Sequence, residues 1–292
     1  MQTQKTIDVG DAALRVVIDG SQDAPVLLLS NSLGTTLEMW DPQMPALTRD
    51  FRVVRYDTRG HGSSSVTPGP YTIARLGRDA VALLDALDVE RAHFAGVSMG
   101  GMTGMWLAMH AGTRLHSLIV ACSSAHIGGE DGWNARIRAV QAGGMSPVVD
   151  AVVSRWFTEA YFCAAGDAIA HLKTMLGGID PQGYAAACAA VRDMNLLPEI
   201  ERIATPTLVI GGTQDLATPL AMSEAIVARI KGARLVTVPG AHLSNIECAE
   251  AFNAAATAFL SDVSGGARAE RFIGGGSVRP PSRPHDPEAG AT

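Results

Sequence analysis

The 292-residue sequence has few cysteines, no concentration of positive charge and no long apolar run. Cys122, Cys163, Cys188 and Cys248 are scattered, with no C-x-x-C pair and no spacing of the kind that holds a metal. They read as free thiols in a reducing compartment, so no disulfide framework, metal or other cofactor is expected. A net charge of -6 without a lysine/arginine cluster excludes the electrostatic footprint of a nucleic-acid partner or an anionic membrane surface. No stretch is long and apolar enough to span a bilayer. Residues Met1–Thr6 lack the apolar core of a signal peptide, so a soluble cytoplasmic protein is expected. What is present is material for a large core, with 47% hydrophobic and 18% charged residues.

The apolar residues fall into short runs bounded by turn signals. Pro25–Ser30, Arg52–Tyr56, Arg91–Ala95, Leu115–Ala121, Thr207–Ile210 and Arg234–Val238 read as strands, most of them buried on both faces. Lys5–Val9 and Leu14–Ile18 read as two further strands joined by a Gly-Asp turn. Helical patterns over Thr72–Leu87, Met99–Ala111, Leu220–Ile230 and Cys248–Leu260 alternate with the strands, which predicts an α/β fold with a mostly parallel sheet flanked by helices. The alternation lapses from about 126 to 200, where Arg136–Ala142, Pro147–Phe157, Ala168–Gly177 and Gly183–Val191 read as helices. A helical insertion between two strands reads as a cap over the strand ends, where open α/β sheets bind their ligands. A separate helical domain with its own partner is the other reading of that segment. The expected division is a first core part over 1–125, a helical cap over 126–200 and a second core part over 201–262. Residues 263–292, rich in glycine and proline, read as a disordered tail.

Gly96-Val97-Ser98-Met99-Gly100 lies between a predicted strand and a predicted helix. G-x-S-x-G in that setting is the signature of a nucleophile elbow, a turn tight enough to strain its serine and to require glycine on either side. Taken alone, the pattern also fits a Gly-Ser turn that merely joins two elements. A serine hydroxyl needs a base, and the base needs a partner that fixes its tautomer. In an elbow fold these follow in the order serine, acid, histidine. His242, in the loop between the last strand and the last helix, meets that order. His61, in Arg59-Gly60-His61-Gly62, precedes the serine and reads as a loop-shaping residue. Asp215 follows an apolar strand and is the candidate acid, although by itself it would also fit a helix N-cap. Asp57 reads as an anchor for the Arg59–Gly62 loop. Backbone N–H groups of Met99 and Leu33 are the candidate oxyanion hole.

This constellation resembles the α/β-hydrolase superfamily over roughly residues 5–260. Within it the chain is similar to 3-oxoadipate enol-lactonases. The resemblance rests on Asn31-Ser32-Leu33-Gly34, Tyr56–Ser63, Gly96–Met102, Trp133–Ile137, Gly183–Ala190 and Ala241–Glu247. The cap segments carry most of it, because the sheet core is shared by esterases, lipases and haloperoxidases alike. Asn31-Ser32 departs from the His-Gly that many members of the superfamily carry there. The resemblance implies an eight-stranded α/β-hydrolase fold with a helical cap, a small-molecule lactone as substrate, no cofactor, and a Ser98, His242 and Asp215 triad. The lactone's free carboxylate needs a partner, for which Arg136 beside Trp133 is the candidate. Arg136 also fits a surface arginine on a cap helix, with Trp133 as packing. Another ester, carbon–carbon bond or peracid hydrolase of this fold, and a ligand-binding protein without activity, are the competing readings.

Overall fold

The structure is a computed structural model and describes residues 2–273. Eight strands form one sheet: β1 (Thr3–Asp8), β2 (Ala13–Asp19), β3 (Val26–Ser30), β4 (Arg52–Tyr56), β5 (Ala92–Val97), β6 (Leu115–Ala121), β7 (Thr207–Gly212) and β8 (Arg234–Val238), in the order β1-β2-β4-β3-β5-β6-β7-β8. β1 and β2 form an antiparallel hairpin and β2 runs antiparallel to β4; every other pairing is parallel. Burial follows position. Every residue of β3, β5 and β7 is buried, whereas the outer strands β1 and β8 keep exposed positions. Strands buried on both faces cannot alternate in polarity, which is why these segments read as continuous apolar runs.

Helices α1 (Met44–Leu47), α2 (Ile73–Ala86) and α3 (Met99–His110) precede an interval in which five helices lie between β6 and β7. These are α4 (Glu130–Gly143), α5 (Ser146–Val153), α6 (Glu159–Ala164), α7 (Gly166–Gly177) and α8 (Pro181–Asp193). Helix α6 has no counterpart among the expected elements, because six residues are too few to show a helical period. Helix α5 stops at Val153, short of the expected Phe157, and Ser154–Trp156 form turns. The Asp180 carboxylate caps α8 by accepting from the Gln182 and Gly183 N–H groups at 2.8 and 3.1 Å, with Pro181 in the first turn.

Helices α9 (Leu220–Val227), α10 (Ser244–Glu247) and α11 (Ala249–Ile273) complete the fold. The tail expected from Val263 therefore begins inside a helix. Ala267-Arg268-Ala269-Glu270-Arg271 are good helix formers and extend α11, while residues 274–292, with the proline cluster, lie outside the described residues. Among the described residues no helix is long and apolar enough to cross a membrane.

Two features of the sheet place the site. The chain leaves β3 for β4 on one side and returns to β5 on the other, so the carboxyl ends of β3 and β5 flank a switch point, where open α/β sheets hold ligands. Ser30 pairs with Gly96 in register, which brings the loop after β3 beside the turn after β5. The helices between β6 and β7 then close over this edge. At Gly183 a Cβ would stand 2.2 Å from the Gly60 carbonyl oxygen, and the Tyr71 N–H donates to the Ala186 carbonyl at 3.1 Å. Backbone contact this close requires glycine.

Candidate active site

Ser98 sits in the turn from β5 into α3 with φ 54° and ψ -115°, a left-handed conformation that side-chain-bearing residues rarely adopt. Neighbouring glycines make the turn possible. A Cβ at Gly100 would lie 2.1 Å from the Ser30 carbonyl oxygen, and one at Gly96 would lie 2.2 Å from the Gly100 carbonyl. Two hydrogen bonds hold the elbow against β6 and the loop that follows it: the Ser98 N–H donates to the Ala121 carbonyl at 2.9 Å, and the Ser123 hydroxyl donates to the Ser98 carbonyl at 2.7 Å. Strain at this point is maintained by packing on every side.

The structure brings Ser98, His242 and Asp215 together. The Ser98 Oγ lies 2.9 Å from His242 Nε2, and His242 Nδ1 lies 2.9 Å from Asp215 Oδ2. With its Nδ1 proton donated to Asp215, the imidazole presents Nε2 as the acceptor of the serine proton. Asp215 is fixed in turn: its Oδ1 accepts from the Ala217 and Thr218 N–H groups at 2.7 and 2.8 Å, and its Oδ2 from the Thr218 hydroxyl at 2.7 Å. Burial works to raise the Asp215 carboxyl, but the His242 charge and the hydrogen bonds from His242 and Thr218 outweigh it and hold the group below the usual carboxylate range. All three residues are buried.

Met99 is the first residue of α3, so its N–H has no carbonyl one turn back in the helix, and its side chain is buried in the core. In the loop after β3, Leu33 differs from its neighbours. The Ser32, Gly34 and Thr35 N–H groups donate to Met39 Sδ, His61 Nε2 and the Ser32 carbonyl, whereas the Leu33 N–H meets no acceptor among the described residues. Asn31 and His61 build this loop. The Asn31 side chain donates to the Tyr56 carbonyl at 2.8 Å and accepts from the Trp40 indole at 3.0 Å. His61 accepts the Gly34 N–H on Nε2 at 3.0 Å and bonds the Arg59 carbonyl through Nδ1, so it is neutral; burial pushes it down to about 4. Asp57 accepts from the Ser63 and Leu37 N–H groups, at the edge of the Arg59–Gly62 loop.

Above these residues lies a cavity of about 580 Å³. Ser32, Leu33, Ser98 and His242 line its floor, and Trp133, Arg136 and Tyr184 come from helices α4 and α8. The Arg136 guanidinium stacks on the Trp133 ring, 4.7 Å from its centre. Trp133 and Arg136, both expected from the sequence, thus line the same cavity as Ser98.

Comparison with known proteins agrees with this geometry. A family model described as alpha/beta hydrolase fold matches residues 25–142, and one described as TAP-like protein matches 184–268. A 3-oxoadipate enol-lactonase from Acinetobacter baylyi is 39% identical over 255 residues, 87% of this chain and 96% of that protein. The crystal structure of the enol-lactonase from Burkholderia xenovorans LB400 superposes with a TM-score of 0.87 at 41% identity, covering 88% of this chain and all 100% of the other. The chain belongs to the 3-oxoadipate enol-lactonase family of α/β hydrolases. A hydrolase from Pseudomonas aeruginosa PA01 is also similar, with a TM-score of 0.85 at 49% identity over 89% of this chain and 98% of its own.

Against this enol-lactonase framework, two residues with no role expected from the sequence support the triad. Thr218 supplies two of the bonds on Asp215; the signal for it was the short spacing Asp215-x-x-Thr218, an Asx-type turn. Glu247 receives the Ala241 N–H at 2.8 Å, the Thr158 N–H at 3.2 Å and the Thr158 hydroxyl. It joins the loop that carries His242 to the start of α6, and the Leu243 N–H adds a bond to the Trp156 carbonyl at 2.9 Å. Glutamate in a helix after a histidine carries no local signal of such a role.

Proposed function

We propose that this chain hydrolyses 3-oxoadipate enol-lactone to 3-oxoadipate, with Ser98 as nucleophile, His242 as general base and acid, and Asp215 as the group that orients His242. The hydrogen-bonded chain from Ser98 to Asp215 on the floor of a capped cavity carries the reading, and membership of the family supplies the substrate. In this reaction Ser98 Oγ attacks the lactone carbonyl as its proton passes to His242 Nε2. The tetrahedral oxyanion takes the free N–H groups of Leu33 and Met99. Collapse breaks the ring C–O bond as His242 gives its proton to the departing oxygen, and the enol so formed stays tethered to the acyl-enzyme, where reclosure would be fast. Its tautomerisation to the ketone removes the internal nucleophile and makes opening irreversible. His242 then takes a proton from water, hydroxide adds to the acyl carbon, and the proton returns to Ser98 as the acid leaves. One water is consumed.

The substrate keeps a free carboxylate, which a buried site must pair. Arg136, held over Trp133, is placed to receive it, and segment 126–200 serves as the cap that encloses the lactone. All four cysteines are free thiols, in keeping with a cytoplasmic protein. Purified protein should convert the enol-lactone to 3-oxoadipate, followed by proton NMR, and Ser98→Ala should abolish the conversion. Turnover no faster than that of the variant, from protein that still cleaves simple p-nitrophenyl esters, would replace this substrate with another ester.

A further inference from the structure

Left-handed backbone marks a second position beside the elbow. Among the described residues only Asp88, Ser98 and Cys122 have a positive φ without being glycine. Val97 and Ala121 pair in register on β5 and β6, so Ser98 and Cys122 are the next residues on two neighbouring strands. Cys122 has φ 42° and is buried. Such a conformation is costly and persists only where the surroundings fix it, which happens most often at functional sites. Ser98 has a role in the reaction; Cys122, and the Ser123 that follows it, have been given none.

The residues at the end of β6 reach all three segments that carry the triad. The Ala121 carbonyl accepts the Ser98 N–H and the Ser123 hydroxyl donates to the Ser98 carbonyl, so both sides of the nucleophile's backbone are held. Ser123 comes this close because residue 101 is glycine: a Cβ there would lie 2.7 Å from both Cβ and Oγ of Ser123. The Cys122 N–H donates at 2.8 Å to the Ile210 carbonyl in β7, the strand that leads to Asp215. The Cys122 thiol lies 3.6 Å from the Ala241 carbonyl oxygen and 3.1 Å from the Ser244 hydroxyl. One side chain thus touches the His242 loop on both sides of the histidine.

A thiol suits this place. Burial, with the Asp215 charge behind it, pushes Cys122 up to about 12, so it stays neutral beside the histidine loop. A neutral contact fixes a distance without adding a charge next to the imidazolium that forms during reaction. Neither Cys122 nor Ser123 is among the residues lining the cavity, so both act through Ser98 and His242. We infer that Cys122 and Ser123 are positioning residues: Ser123 holds the backbone of Ser98, and Cys122 holds the His242 loop against it. The inference rests on the acyl-transfer reading above and adds the pair that sets the distance between nucleophile and base.

The test compares Ser123→Ala and Cys122→Ala, each of which removes one contact, with Cys122→Ser, which restores a donor and an acceptor. The elbow should form without Ser123, because the Ser98 carbonyl also accepts the Met102 N–H at 3.0 Å; circular dichroism and melting check each variant. In both alanine variants kcat for the enol-lactone should fall about tenfold with KM within about twofold, short of the roughly 10²-fold that a misplacement of about 1 Å costs. Labelling of Ser98 by an uncharged fluorophosphonate, which needs no lactone, should slow by the same factor, and Cys122→Ser should recover most of it. The downfield proton resonance of the His242–Asp215 hydrogen bond should move in Cys122→Ala and stay in place in Ser123→Ala. Should Cys122→Ala fail to fold, Ser244→Ala removes the same contact from the other side. Folded variants that label at the wild-type rate, or that change KM alone, overturn the inference, as does a resonance that moves in both variants or in neither. If wild-type protein is labelled at Ser98 but leaves the lactone intact, the substrate reading fails and the labelling rates still decide this one.

Discussion

The two halves of the site are built on opposite principles. On the sheet side, Ser98, His242, Asp215 and Thr218 are bonded in one network, the Asn31 side chain is bonded to the Tyr56 carbonyl and the Trp40 indole, and the elbow is set by a glycine-tight turn at a strand end. On the side of α4, Arg136 stacks on Trp133 and forms no ion pair among the described residues. A saturated network is preorganised and needs no rearrangement as charge develops, which is what a shared reaction requires. Unsaturated groups wait for a ligand to complete them, which is what substrate selection requires. On the function proposed above, the core supplies the reaction and the helices between β6 and β7 the choice of lactone.

If that division holds, damage to the core should reach kcat and damage to the cap should reach KM. The largest effect belongs to Ser98→Ala, expected to lower kcat by about 10⁴-fold or more with the fold intact, read by enol-lactone turnover and circular dichroism. Retained turnover would remove Ser98 as nucleophile. Gly100→Ala follows. Its Cβ would meet the Ser30 carbonyl oxygen at 2.1 Å, a backbone atom that cannot move aside cheaply. A loss of about 1–3 kcal/mol of stability or more, the scale of overpacked cores, is expected in urea unfolding. Arg136→Ala should instead raise KM for the carboxylated lactone about tenfold or more and leave kcat within a few-fold. A KM at the wild-type value would break the comparison on the cap side.

These residues also differ in how far the sequence reveals them. Ser98 is legible because strained geometry demands glycine at fixed positions, and such positions survive as a short pattern. Asp215 and His242 are legible through chain order and their placement after apolar strands. Helices α4, α5, α7 and α8 are expected from their periodicity, whereas α6 is too short to show one. Glu247 is hidden because its three donors come from residues 241 and 158 and meet only on folding.

Glu247 sits on the boundary and sharpens the comparison. Its carboxylate holds the segment before His242 and the start of α6 at once. Glu247→Gln keeps the shape but turns one acceptor into a donor facing another donor, at a cost of about 1–3 kcal/mol. Both halves should respond: the melting temperature falls by several degrees, kcat drops about threefold to tenfold, and hydrogen exchange quickens in 156–164. A change confined to KM would make Glu247 part of the cap alone.

The smallest expected effect concerns pH and the core by itself. His61 is buried, and its Nε2 accepts the Gly34 N–H in the loop that carries Leu33. Protonation would break that bond and leave a charge without solvent, which is why burial pushes His61 down to about 4, below the ordinary histidine value. The unfolded chain, with an ordinary histidine, binds this proton more readily than the folded one. Stability from this group is therefore complete above about pH 6.5 and is lost as pH falls through the window down to about 4, by up to roughly 3 kcal/mol. His93 adds to the same window, for burial, His116 and Arg91 push it down to about 4 as well. Urea unfolding between pH 7 and 4 should show this loss, and His61→Asn, whose amide oxygen can still accept the Gly34 N–H without titrating, should have a shallower slope. An unchanged slope would mean that the oxyanion loop does not depend on a neutral His61, and the saturation of the core network would then stop short of Leu33.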